Sequence, residues 1–308
     1  MITVLTGGTG GAKLVEGLAA VVDPASLAIV CNTGDDCIFH GLHVSPDIDT
    51  ITYALAGMSD ADKGWGIKDD SFVVLEQLRR LGNPAWFNLG DKDLATHITR
   101  TRLLNEGWKL SEVTEQLRLA LGVRAQIFPM SDEAVETRVQ TDTGELSFQE
   151  FFVKERWSPK VRAVRYLGAE QSRPAPGVIE AIRAAEAIVI CPSNPITSIG
   201  PILAVPGIRA ALLDASAPVV GVSPLIGSAA ISGPAHKLMA AAGWEASPLG
   251  VARSYGEFLD TFLIAEEDCG LAAKFGKLKI RPICADIRMP DREAKQSLAR
   301  RVLDSGKK

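Results

Sequence analysis

The chain reads as an α/β protein, a mostly parallel sheet with helices on both faces and a helix-rich insertion. Three observations predict this. Short apolar runs alternate with helical patterns at both ends of the sequence. A glycine-crowded turn joins the first apolar run to the helical pattern after it. The middle, about 60–170, breaks the alternation with several helices in succession. One domain is expected, its core drawn from about 1–60 and 175–285 and its last helix from about 290–305.

In "MITVLTGGTGGAKLVEGLAA" the run ITVLT is a short buried strand, and AKLVEGLAAVV sets Leu14, Leu18 and Val21 on one helical face. SLAIVCN is the next strand, so the opening forms a right-handed βαβ unit. Three helical patterns follow, DSFVVLEQLRRLG, DKDLATHITRTRLLNEG and LSEVTEQLRLALG, with Asp91 as N-cap of the second and Ser111 at the start of the third. EAVETRVQT and VRAVRYLG alternate as a small β element. From about 175, GVIEAIRAAE and PGIRAALLDAS read as helices, AIVICPSN and PVVGVSPL as strands. PAHKLMAAAG is a helix with Pro234 near its start. DREAKQSLARRVLDSGKK closes the chain as an amphipathic helix with a basic end expected to fray.

With 308 residues, 46% of them hydrophobic, the chain can bury a full core. A net charge of -4 gives no electrostatic case for nucleic acid. No apolar run reaches the roughly 18 residues that span a bilayer, and the N-terminus lacks a basic leader, so a cytoplasmic protein is expected. Five scattered cysteines without a CxxC argue against a disulfide framework or a structural zinc.

The candidate chemistry sits in loops. Gly7, Gly8, Thr9, Gly10 and Gly11 open a helix, where free N–H groups and the helix dipole suit an anion, with Lys13 close behind. The turn lacks the Walker A spacing and fits a dinucleotide fingerprint only loosely. A second loop leaves a buried strand in CPSNPITSIGPIL, and offers Ser193, Asn194, Thr197 and Ser198 to a phosphate. Both loops fall at strand carboxyl ends, where open α/β sheets bind ligands. Between them, NTGDDCIFHGLHVSPDIDT supplies Asp35, Asp36, Asp47 and Asp49. In an extended or turning segment Asp47 and Asp49 point to the same side, a pair suited to Mg2+ or to positioning an attacking hydroxyl; one of them capping the next helix is the alternative. His40 and His43 lack zinc-site spacing.

GGTGGAKL, NTGDD, SPDIDTITYALAG, GWGIKDDSF, LGDKDLATHITRTRLL, CPSNPITSIGPIL and SPLIGSAAISGPAHKLM follow in order over nearly the whole chain. Together they resemble the 2-phospho-L-lactate transferases of coenzyme F-420 biosynthesis. The resemblance implies a Rossmann-like fold with a helical addition, a homodimer, and a requirement for Mg2+. It implies transfer of a phospho-acid from a guanosine diphospho-acid to the ribityl hydroxyl of Fo (7,8-didemethyl-8-hydroxy-5-deazariboflavin), with release of GMP. Phospholactate, enolpyruvyl phosphate and phosphoglycerate are all open as the group carried. The glycine turn, Asn32 and the 192–199 loop would hold the guanosine diphosphate part, and Asp49 and Lys92 would contact Fo. Lys92 stands where the family often has arginine, which keeps the charge and loses the planar fork.

Two rivals compete. A regulatory nucleotide or nucleotide-sugar binder of a related branch would carry a motif like ADDGGSSG after the second strand, where this chain has NTGDDCIFHG. An NAD(P)-dependent oxidoreductase would place an acidic residue at the end of that strand, where Asn32 stands, with Asp35 and Asp36 just beyond.

Overall fold

The computed structural model describes residues 1–60, 64–230 and 233–306. Lys307 and Lys308, the end expected to fray, lie outside them. Seven strands form the main sheet: β1 (Ile2–Thr6), β2 (Leu27–Cys31), β3 (Gln126–Pro129), β4 (Ala187–Ile190), β5 (Val219–Val222), β6 (Thr261–Ala265) and β7 (Arg281–Ala285). Their spatial order is 3-2-1-4-5-6-7, every pair parallel. Strand alternation divides the interior. Leu5, Val30 and Ile190 face one apolar core, while Val4, Ile29 and Val189 face the other. The chain is thus a doubly wound α/β protein, as its sequence predicts.

The first helix, α1 (Gly8–Val21), begins inside the glycine turn. The terminal helix Arg292–Ser305 packs against α1 at Gly17, where an added Cβ would stand 2.3 Å from the Lys295 carbonyl oxygen. β3 comes from within 60–170, a stretch whose sequence offers only helices and a small β element. It runs four residues with a proline at its end, so its period is too short to read. β6 and β7 likewise lie in apolar runs that the sequence reading leaves unassigned. The small β element is a three-stranded antiparallel sheet in which Glu136–Thr141 pairs with Glu145–Ser147 and Val161–Leu167. Cys269 is bonded to Cys284, its Cα 5.7 Å away, one bridge where the sequence reading expects no framework.

The insertion's helices are α3 (Val73–Arg80), α4 (Asp91–Asn105) and α5 (Leu110–Ala120), preceded by α2 (Pro46–Leu55). Asp91 does not cap α4. Its carboxylate accepts from the amides of Val73 and Val74, at 2.9 and 3.0 Å, and so caps α3. Asp70 returns the contact, accepting from the Lys92 and Asp93 amides at the head of α4. Gly90 takes the N-cap position because a Cβ there would meet the Asp70 carboxylate at 2.1 Å. Among the described residues no helix is long and apolar enough to cross a membrane.

A methyl group at Gly10 would lie 2.7 Å from the backbone oxygen of Pro192, which cannot swing aside. Gly10→Ala is expected to lower unfolding stability by about 1–3 kcal/mol. Denaturant midpoints of wild type and variant measure this.

Candidate active site

The carboxyl ends of β1 and β4 lie side by side at the point where strand order reverses, since β1 leads on to β2 and β4 to β5 on its other side. The glycine turn leaves β1 there and the loop 191–198 leaves β4. The two are joined directly. The Ser193 hydroxyl donates to the Gly7 carbonyl at 2.7 Å, and the Gly7 amide reaches Ser193 Oγ at 3.3 Å. Asp47 binds the third segment in. Its Oδ1 accepts from the Gly8 amide at 2.7 Å, and its Oδ2 from the Asn32 side chain at 2.9 Å. Asn32 also donates to the Thr197 carbonyl at 3.1 Å. Asn194 shapes its own loop, accepting from the Ile196 and Thr197 amides.

Only glycine fits at position 7, where a Cβ would lie 2.4 Å from Asp47 Oδ2 and 2.9 Å from Ser198 Cβ. Gly8 has φ +67°, and Thr9 and Gly10 head α1, where amides lack intrahelical partners. These elements bound a cavity of about 470 Å³. Gly7, Gly8, Thr9, Gly10, Asp47, Asp49, Ser193, Asn194, Thr197 and Ser198 all line it. Gly11, Lys13, Asn32 and Lys92 do not. Gly11 packs under the turn, where a Cβ would meet the Thr6 and Ser193 hydroxyls, and Asn32 is fully buried behind Asp47. Lys92 is exposed and donates to the Lys68 carbonyl at 3.0 Å.

Asp47 and Asp49 do not form a same-side pair. They sit in the first turn of α2, where a two-residue step rotates the side chain by about 200°. Asp47 therefore turns to Gly8 and Asn32, and Asp49 to α4. Arg100 holds both oxygens of Asp49, Nη1 to Oδ2 at 3.0 Å and Nη2 to Oδ1 in a closer contact. His97 lies beside them, Nδ1 3.6 Å from Asp49 and Nε2 3.2 Å from Asp93. Tyr53 donates to Asp93 at 2.5 Å. Asp93, His97 and Arg100 were not assigned roles from sequence. Their i, i+4, i+7 spacing on α4 is the available signal, a polar stripe on a helix face where His97 and Arg100 are buried.

The acidic end is strained electrostatically. Burial pushes the Asp47 carboxyl up to about 6, against the hydrogen bonds from Asn32 and Gly8. Burial, then Asp47 and Asp36, push Asp35 well above the usual carboxylate range. Asp35 lines the cavity, and among the described residues its buried Oδ1 has no hydrogen-bond partner. An orphaned carboxylate oxygen beside Asp47 fits a hard, oxygen-seeking cation. Asp49 fits one poorly, because a guanidinium occupies both its oxygens. The cavity also has an apolar and aromatic lining. Phe148 stacks on Phe152 at 5.3 Å and Trp157 lies tilted against Phe152 at 5.1 Å; Tyr53, Trp65 and Phe87 also line the cavity.

Such a fold and site define an α/β protein with an anion-cradling crevice beside an aromatic one. The family model described as 2-phospho-L-lactate transferase CofD matches residues 2–302, and the chain belongs to this family of transferases of coenzyme F-420 biosynthesis. It is similar to a phosphoenolpyruvate transferase of Streptomyces griseus, 46% identical over 98% of this chain and 97% of that protein. It is also similar to a 2-phospho-L-lactate transferase of Methanosarcina mazei, 40% identical over 98% and 99%. A crystal structure of a UPF0052 family protein from Bacillus halodurans superposes with a TM-score of 0.66 over 98% of both chains; at 19% identity it shares the fold.

A raised carboxyl favours the folded state only while protonated. The contribution of Asp47 is full below its unfolded value of about 4 and lost as pH rises through about 6. The stability of wild type relative to Asp47→Asn is therefore expected to fall by up to about 3 kcal/mol between about pH 4 and 7.5. Thermal or urea unfolding of both proteins across that range measures it. Arg100→Met leaves Asp49 buried without its cation and is expected to cost about 3–5 kcal/mol, part of it recovered in the Asp49→Asn/Arg100→Met double variant.

Proposed function

We propose that the enzyme transfers a phospho-acid from a guanosine diphospho-acid to the terminal ribityl hydroxyl of Fo, forming coenzyme F-420-0 or its dehydro form and releasing GMP. One observation carries the reading: the glycine turn, the 193–198 loop and the two aspartates converge on a single cavity that is also lined by aromatic side chains. The diphosphate suits the amides of Thr9 and Gly10 and the hydroxyls of Thr197 and Ser198, since the Gly8 amide and the Ser193 hydroxyl already donate to Asp47 and to the Gly7 carbonyl. The flat deazaflavin suits the Phe148–Phe152–Trp157 wall. The greater likeness to the Streptomyces protein favours enolpyruvyl phosphate as the group carried.

The ribityl oxygen attacks the phosphorus bearing the acid, that phosphorus parts from the GMP oxygen, and the hydroxyl proton leaves. Such a transfer needs in-line placement and charge neutralisation more than a strong base. Asp49, fixed from behind by Arg100, orients the hydroxyl by accepting its hydrogen bond. Lys92 adjoins Asp93 at the head of α4 but donates to the Lys68 carbonyl outside the cavity lining, and it would have to leave that carbonyl to contact the acceptor. Lys13, in the second turn of α1, adds positive charge on the diphosphate side. Asp35 and Asp47 would hold Mg2+, which supplies neutralisation of the diphosphate when bound. A cytoplasmic homodimer is proposed from the family resemblance, and sedimentation of the purified protein tests the dimer.

Purified protein is incubated with Fo, Mg2+ and each guanosine diphospho-acid, and products are read by mass spectrometry. An F-420-0 or dehydro-F-420-0 mass with GMP is expected; absence of product from all three donors overturns the proposal. Asp49→Ala is expected to abolish turnover or Fo binding, and Asp35→Asn to raise the Mg2+ concentration needed for half-maximal rate. Unchanged kinetics in either variant remove the role given to that residue.

A further inference from the structure

The cavity is lopsided in charge. Asp35, Asp47, Asp49 and Asp93 line it, and among its described lining residues Arg156 is the only arginine or lysine. The donor brings a diphosphate and, on the acid, a carboxylate. Backbone amides and hydroxyls suit the diphosphate, yet they lack the flat two-point fork that a carboxylate matches best. A guanidinium has that fork.

The backbone at this point is unusual. Arg156 and its neighbour Trp157 have φ of +48° and +46°, left-handed values that side-chain-bearing residues rarely adopt. Three contacts hold the turn in place. Lys237 Nζ donates to the Trp157 carbonyl at 2.8 Å, the Trp157 amide donates to the Phe151 carbonyl at 2.8 Å, and the Trp157 ring rests on Phe152. Two consecutive residues are thus fixed in an unfavourable conformation at the cavity wall. Arg156 forms no ion pair among the described residues, although much of the surface arginine elsewhere is paired.

We propose that Arg156 binds the carboxylate of the transferred acid and is the residue that selects acid-bearing donors over neutral ones. The assignment rests on the phospho-acid reading above. Arg156 is a specificity-determining residue in it, since a carboxylate left unpaired among four aspartates would be repelled from the site.

The test is equilibrium binding of a guanosine diphospho-acid and of its carboxamide to wild type, Arg156→Gln and Arg156→Lys, with Fo binding followed by fluorescence as the check on folding. Wild type is expected to prefer the acid by about 10- to 100-fold. Arg156→Gln is expected to lose that preference with Fo affinity unchanged, and Arg156→Lys to keep part of it. Retention of the full preference by Arg156→Gln overturns the assignment. So does a wild type that binds acid and amide alike, or binds neither. If Arg156→Gln fails to fold, Arg156→Lys decides, a reduced preference supporting the assignment and an unaltered one overturning it. Turnover is measured separately. A wild type that prefers the acid in binding yet makes no product removes the transferase reading and leaves Arg156 as a carboxylate site.

Discussion

The site is held together by one buried carboxylate. Asp47 accepts from the Gly8 amide and from Asn32, and Asn32 reaches on to the Thr197 carbonyl. Four segments distant in sequence, the turn after β1, the end of β2, the head of α2 and the loop after β4, meet through these contacts. They close so tightly that positions 7, 10 and 11 have no room for a side chain. The glycines serve packing between loops as much as access for a ligand. The arrangement leaves an acid group dry and costly to ionise.

The cavity divides its labour by origin. The polar end is built from the parallel sheet, where strand ends and helix starts supply amides and hydroxyls. The aromatic wall comes from the segment at 148–157, with Tyr53, Trp65 and Phe87 from around the insertion's helices. Below Asp49 lies a buried chain of Arg100, His97, Asp93 and Tyr53, linked at hydrogen-bond or ion-pair distance. Burying charged groups is unfavourable unless they find partners, and here Arg100 pairs with Asp49 while Tyr53 donates to Asp93.

Much of this was legible in the residues. Local period and glycine placement identify β1, α1 and β2, and the two loops at strand ends. The convergence of those loops follows from the rule for parallel sheets. Other features were hidden for definite reasons. β3 is too short to show a period. Asp47 and Asp49 diverge because helix α2 begins one residue before Asp47, whereas the sequence reading takes that segment as extended or turning. Asp91 caps a helix that precedes it by 18 residues, a pairing that no local rule reaches. The stripe of Asp93, His97 and Arg100 has the spacing of a solvated face, and only tertiary contact with α2 reveals His97 and Arg100 as buried.

The exchange of caps between α3 and α4 has a mechanical consequence. Each helix start takes its hydrogen bonds from an aspartate at the foot of the other, Asp91 for one and Asp70 for the other. Fraying at either end strips the other of its partner too. The pair is therefore a single cooperative unit, and any breathing of this flank of the crevice moves both rods at once.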